Sequence, residues 1–298
     1  MKTIYTIILF LWITILVKAQ IDLEINNNMQ VETSGGLFIE VSGDVVENGT
    51  GYLKGAVTSG TRSGETNFAG LTFGSSFTGT IKRTTGTALS ASNPKTFLRS
   101  YELNNTGSAL NTTVQSKFVS SGSNDEENGI TTPFIYKKVT TNWTGHNNTS
   151  IAANLVSAAN VNIPTGSSNI TVAEGIGVAA KIYLQGPYST SANNMSLSIN
   201  GSIPAVSPYS EDPRTAQNIP ANAVDWVLVK LRNSSNPFAV VASRSAFVNG
   251  DGNIIDDFGN LHTGIPASIT GLYNISVKHR NHLEIMTQTA QNLNWESN

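Results

Sequence analysis

The sequence predicts an all-β protein: a Gly-rich N-terminal region of short strands followed by two β-sandwich domains. Three observations carry that expectation. Helical periodicity is nearly absent, whereas short runs of alternating apolar and polar residues recur along the whole chain. Gly, Asn, Ser and Thr break these runs at close intervals, as turns between short strands require. In the last third, DWVLVKLR (225–232), VVASRSAFV (240–248) and YNISVKHRNHL (273–283) follow one another as strand-like segments, each with charged or imidazole side chains inside an apolar pattern.

The first nineteen residues read as a secretory leader. Lys2 supplies the positive n-region, Ile4 to Val17 the apolar h-region, and Val17-Lys18-Ala19 a small-residue cleavage site before Gln20. The apolar run is shorter than the ~20 residues that span a bilayer, so cleavage is expected, with no transmembrane segment left behind. The mature chain is then secreted, extracellular or on the outer cell surface, and long enough for two ordinary domains or a domain plus a smaller unit. There is no cysteine, so the domains must bury real cores without the disulfides that small secreted domains use. Charged residues make up 13% of the chain, with a net charge of −2 and no basic cluster. Nucleic-acid binding, which needs a concentrated Lys/Arg surface, is excluded on that basis.

Residues 20–80 carry closely and irregularly spaced glycines between fragments such as LFIEVSG (37–43) and GYLKGAV (51–57). This pattern fits either a few turns of a β-solenoid or the hairpins of an open sheet, and no clean repeat period separates the two. From 81 to 174 the strands lengthen into a β-sandwich. TFLRSYELN (96–104) places Phe97, Arg99, Tyr101 and Leu103 on one face; ALNTTVQSKFV (109–119) does the same with Leu110, Thr112, Val114 and Phe118. AEGIG (173–177) marks the boundary to a second sandwich over 175–298, opened by VAAKIYLQ (178–185) with Val178, Ala180, Ile182 and Leu184 on one side. The passage 200–222, with Pro204, Pro208, Pro213 and Pro220, reads as a rigid crossover between two sheets, or as a long binding loop.

The chemical constellations give little. If 273–285 runs as one strand, Tyr273, Ile275, Val277, His279, Asn281, Leu283 and Ile285 share one face and His282 the other. The two imidazoles then point apart, and no zinc site is expected. The same alternation places His279 and Asn281 toward the interior, Arg244 among Val240, Ala242, Ala246 and Val248, and Asp225 beside Val227, Val229 and Leu231. Buried polar groups must be paired. The expected arrangement is a structural network in which Asp225 offsets Arg244 or Arg280, with His279 and Asn281 tying it to backbone. NGDGNIIDD (249–257) looks like a calcium loop, but placing Gly252 at its sixth position puts Phe247 first and Phe258 twelfth, where carboxylates are needed. It reads instead as a hairpin turn between 240–248 and 253–258. GIGVAA (175–180) precedes a strand and not a helix, which defeats a dinucleotide reading. Asp125, Glu126 and Glu127 adjoin in a turn and do not face one another as a glycosidase pair. Tyr188, Tyr209 and Trp226 could form a stacking platform for sugar rings; the competing reading makes Trp226 a core residue.

LQGPY (184–188), IPAVSPY (203–209), AVDWVLVKLR (223–232) and KHRNHLEIMT (278–287), with IKRTTG (81–86), FLRSYEL (97–103) and NWTGH (142–146) upstream, make the chain similar to a recurrent C-terminal module of large secreted proteins of Bacteroidota. The resemblance covers roughly 81–290. It implies a β-sandwich build and display at the cell surface, usually by type IX export, and it brings no activity or catalytic residue. Those proteins continue past the HRNH segment into further strands and a sorting domain, which this chain, ending at Asn298, is expected to lack. The expected function is a noncatalytic structural or adhesive β module, without cofactor, meeting extracellular glycans or surface proteins. A carbohydrate-binding protein is the first alternative, and a glycan-active enzyme of unrecognised type the second.

Overall fold

The computed structural model describes residues 21–91, 94–120, 126–130, 133–152, 154–261, 263–267 and 271–293. The leader expected at 1–19 and Asp125 lie outside the described residues. Among those described the fold is all-β in several sheets, without a closed barrel and with no helix beyond a short 3-10 turn at Asn200–Ser202. Among the described residues, no helix is long and apolar enough to cross a membrane.

The first strands are β1 (Leu23–Ile25), β2 (Gln30–Glu32), β3 (Phe38–Val41), β4 (Val45–Glu47) and β5 (Tyr52–Ser59). β1 pairs in parallel with β4, and β2 and β3 pair in parallel with β5. The stacking brings like positions together at a spacing of 22 residues: Asn48 Nδ2 donates to Asn26 Oδ1 at 3.0 Å, and the Asn28 amide to Thr50 Oγ1 at 2.9 Å. Such amide ladders favour parallel, in-register strands. The stacking then stops, because β5 pairs antiparallel with a later strand. The described residues thus hold one coil-on-coil repeat and no run of solenoid turns.

Next come β6 (Arg62–Phe68), β7 (Leu71–Thr85), β8 (Thr96–Asn105), β9 (Leu110–Lys117), β10 (Pro133–Val139), β11 (Asn142–His146), β12 (Asn148–Ala152), β13 (Leu155–Ile163) and β14 (Gly166–Glu174). β7 organises them. Its first half lies between β6 and β9, and its second half between β5 and β8. One limb continues through β9–β13–β12, the other through β8–β14–β10–β11. The limbs approach again where Lys137 Nζ donates to Asn162 O at 2.8 Å. Gly79 sits where β7 changes partners, with φ +139, and a Cβ there would meet Asn104 O at 2.0 Å. Between the limbs lies one core, built from Leu53, Val57, Phe73, Phe77, Ile81, Phe97, Tyr101, Leu103, Val114 and Ile170 among others. The expected boundary at 80/81 falls inside β7, and residues on both sides of it share this core.

Two arginines enter that core. Arg83 grips Glu47 with both terminal nitrogens, at 2.9 and 3.0 Å, and Arg99 joins Glu47 at 3.1 Å and Glu126 at 3.0 Å. Burial of an ion is costly unless the charge is paired and its remaining donors are used. Burial alone would raise the Glu47 carboxyl, but Arg83 and Arg99 hold it below its ordinary 4.5. Glu126, fully buried, goes the other way, because desolvation outweighs Arg99.

The C-terminal strands are β15 (Ile176–Val178), β16 (Tyr188–Ser189), β17 (Asn194–Met195), β18 (Ala223–Asn233), β19 (Asn236–Asn249), β20 (Ile254–Ile255), β21 (Thr263–Ile265), β22 (Gly271–His279), β23 (His282–Met286) and β24 (Gln291–Leu293). The main sheet runs β20–β19–β18–β22–β23, with β24 also on β22, and β15 pairs β21 separately. β18 is buried on both faces. Val227, Val229 and Leu231 face a core that includes Ile275 and Val277 of β22. To it β10 and β14 contribute Phe134, Tyr136 and Ala173, while their alternate residues Ile135 and Val172 serve the first core. Trp226 and Leu228 face the other way, with Phe247, Ile255, Ile203 and Tyr209.

Two segments depart from the sequence expectation. Residues 179–185 keep their alternation, with Leu184 buried and Ala180 and Ile182 packed on the second core. They form no continuous strand, however, and are held by the Lys181–Asn253 bridge and by backbone bonds between Ile182 N and Gly252 O and between Ile254 N and Ala180 O. At 273–285 the chain does not run as one strand. It reverses at Arg280–Asn281, so that His279 pairs with His282. Asn281 is therefore an exposed turn residue and not a core one, and Leu283 on the edge strand β23 is 92% exposed.

Gly79→Ala is expected to destabilise the fold by roughly 2–4 kcal/mol in chemical denaturation, because it adds a side chain at positive φ against a backbone carbonyl; an unchanged midpoint would remove β7 from its corner role. Glu47 has a lowered carboxyl, so its ion pairs contribute fully above 4.5 and are lost as the pH falls below it. Glu47→Gln should therefore lower stability at neutral pH and cost progressively less in acid. A pH-independent difference between the two proteins would contradict this.

Candidate functional site

The polar groups of the C-terminal unit gather in three places around β18. The first lies on its Trp226 face. The Pro-rich passage is neither a crossover nor a free loop: it folds over β18 and β19 as a lid. Its own backbone is tied into a short hairpin by bonds between Ser207 N and Arg214 O and between Ala216 N and Ala205 O. Trp226 Nε1 donates to Pro204 O at 2.8 Å, and the Tyr209 hydroxyl donates to Trp226 O at 3.0 Å. Burial, then the charge of Asp225, pushes the Tyr209 hydroxyl up to about 12. Buried charges anchor the lid. Arg214 makes a two-pronged bond to Asp257 at 2.6 and 2.7 Å and donates twice to Ser245 O. Asp212 accepts from the Ser245 amide and hydroxyl, both at 2.7 Å.

The second place is the end of the β22–β23 hairpin. Asp225, buried, lies 2.7 Å from Arg280 Nη2 and 3.2 Å from His279 Nε2, and it caps the Trp226 amide at 2.8 Å. Desolvation would raise its carboxyl, but the bonds from His279, the Trp226 amide and Arg280 hold it below its ordinary value. The imidazoles meet edge to face, with Nδ1 atoms 2.8 Å apart, and His282 Nε2 lies 3.1 Å from Gln185 O.

The third place is a partly exposed charged face joining the lid to β18, β22 and β23. Lys230 Nζ lies 3.3 Å from Glu284 and 3.6 Å from Glu211, Lys278 Nζ binds Glu211 at 3.0 Å, and Arg232 binds Glu284 at 2.5 Å. Ser276 Oγ donates to Glu284 at 2.7 Å. Burial opposes ionisation of Glu284, yet Ser276, Arg232 and Lys230 pull its carboxyl down to about 2. Lys278 first, against a smaller burial effect, lowers Glu211 as well.

Of the expected structural network, the fold brings together Asp225, His279 and Arg280. Arg244 stands apart: its Nη1 is 3.8 Å from Asp212 and its guanidinium lies 5.1 Å over the Phe134 ring. Burial, then the positive charge of Arg214, lowers Arg244 to about 10. The carboxylate near Arg244 comes from the lid, which strand alternation could not place. Asn281 contributes only its backbone amide, to His279 Nδ1 at 3.2 Å. The aromatic trio does not form a platform. Trp226 and Tyr209 are buried under the lid, stacked in the case of Trp226 on Phe247 at 4.1 Å. Tyr188 packs against the core on the opposite face of β18, next to Tyr183 at 4.8 Å, with its hydroxyl on Asn193. At 249–253 the hairpin reading matches the fold: β19 and β20 are antiparallel, and Asn249 O and Oδ1 take the amides of Gly252 and Asn253.

Sequence reasoning missed Asp212, Arg214, Asp257, Glu211 and Glu284. Two signals were available: the S-E-D-P-R run in the middle of a Pro-rich passage, and unmatched Lys230 and Arg232 on the Trp226 face of β18. Among the described residues, no group of three or more His, Cys, Asp or Glu side chains is placed to hold a metal ion. No family model, curated protein or solved structure matches this chain.

The Arg214–Asp257 pair gives a direct test. Asp257→Ala removes the two-pronged partner of a buried guanidinium and leaves only Asp212, at 3.8 Å, beside it; it should cost about 3 kcal/mol, whereas Arg214→Met with Asp257→Leu should recover most of that loss. A single variant as stable as the parent in urea denaturation would show that the lid is not held by this pair.

Proposed function

We propose that this chain is a secreted or cell-surface β module with a structural or adhesive role and no catalytic one. The observation that carries the reading is the state of two partly exposed carboxylates that share Lys230. Glu211 and Glu284 both bind Lys230, close enough to suggest a glycosidase pair, yet both carboxyls are lowered by the cations around them. Glycoside hydrolysis needs one carboxyl kept protonated as the acid. Here each is neutralised by Lys or Arg, as befits groups that hold a surface together. Export rests on the leader-like pattern of residues 1–19.

One observation favours carbohydrate binding as a second reading, at a different place from the expected trio. Tyr183 is 41% exposed, carries Lys181 against its ring and leans on Tyr188. Such a ring can stack on a sugar face, and its neighbour would hold it in position.

Protease shaving of intact cells producing the full chain should release its peptides, with a mature N-terminus at Gln20. Full protection inside unbroken cells would end the surface reading. On a glycan array the structural module binds nothing specifically; specific binding abolished by Tyr183→Ala would replace it with the carbohydrate reading.

A further inference from the structure

We propose that the tip of the β22–β23 hairpin binds a divalent late transition-metal cation, of the copper(II) or nickel(II) type, between His279 Nδ1 and His282 Nδ1. The argument starts from the far side of each ring. His279 Nε2 faces the Asp225 carboxylate at 3.2 Å, and His282 Nε2 faces Gln185 O at 3.1 Å. Both partners are acceptors, so each ring keeps its proton on Nε2 and turns an Nδ1 lone pair toward the other. Two lone pairs brought within 2.8 Å repel unless both are held by one cation, a shared proton or a metal ion set to one side of the line that joins them.

Outer partners of this kind, a carboxylate or a backbone carbonyl behind each imidazole, are what fix the tautomer and orientation of metal-ligating histidines. The separation selects the metal. With nitrogen–metal bonds of about 2.0–2.1 Å, Nδ1 atoms 2.8 Å apart subtend roughly 85–90° at the ion. That is a cis angle of square-planar or octahedral coordination and too acute for tetrahedral zinc. Water would complete the shell from the solvent side, where His282 is partly exposed. Two features oppose the ion. The charge of Arg280 is engaged by Asp225 at 2.7 Å, and the Asn281 amide that donates to His279 Nδ1 at 3.2 Å would have to turn to water as the ion binds.

The test is titration of NiCl2, then CuCl2, into the purified chain from Gln20 near neutral pH, followed by calorimetry and thermal unfolding. One saturable equivalent is expected, with Tm rising in step with the logarithm of nickel concentration, and with zinc binding more weakly than nickel. His282→Gln, at the partly exposed turn where folding is spared, should abolish both effects. Asp225→Asn should weaken binding ~10–100-fold, as loss of an outer carboxylate does. Absence of a saturable site, or the same binding in His282→Gln, overturns the proposal and assigns the short contact to a proton shared by the two rings.

Discussion

The C-terminal half depends on one constraint: β18 is buried on both faces. A strand with one apolar face needs a single cover, but this one needs two, and each cover is recruited from a different part of the chain. Below it, the reverse faces of β10 and β14 close the second core, which locks the two halves of the molecule together through Phe134, Tyr136 and Ala173. Above it lies Trp226, too large to leave in water, and the passage from Ile203 to Pro220 folds down over it. The prolines suit this passage because it makes few backbone bonds of its own and gains by having little conformational freedom to lose.

Segments without regular structure need fasteners, and this chain has no cysteine to supply disulfides. Buried ion pairs take that place. Arg214 reaches Asp257 across 43 residues, Arg83 reaches Glu47 across 36, and Arg99 reaches Glu126 across 27. Each pair gains little net stability over apolar residues of the same size, but each punishes an arrangement that separates its members. The effect is to select one register and one lid position from the many that a Ser-, Thr- and Asn-rich chain could adopt.

The same logic bears on what the surface can do. On the face beside the lid, Lys230, Lys278 and Arg232 hold Glu211 and Glu284 in ion pairs, which supports the proposed structural role. The hairpin tip differs, since its two imidazoles are oriented by outer oxygens and directed at each other.

Much of this was legible in sequence, and the limits have physical causes. Alternation put Arg99 and Tyr101 on one face and Asp225 and His279 toward the interior, and all four are buried, because local period decides which face a side chain takes. It failed at Asn281 and Leu283, where a two-residue reversal cut one apparent strand into two and left the second at an edge. Strand class, the turn at 249–253 and the inward Asp225 and His279 were thus determined by the sequence itself. Which carboxylate meets which cation, that β7 joins both limbs of one sheet, and that a Pro-rich passage becomes a lid were decided only by tertiary structure, since those contacts join residues whose separation along the chain carries no local signal.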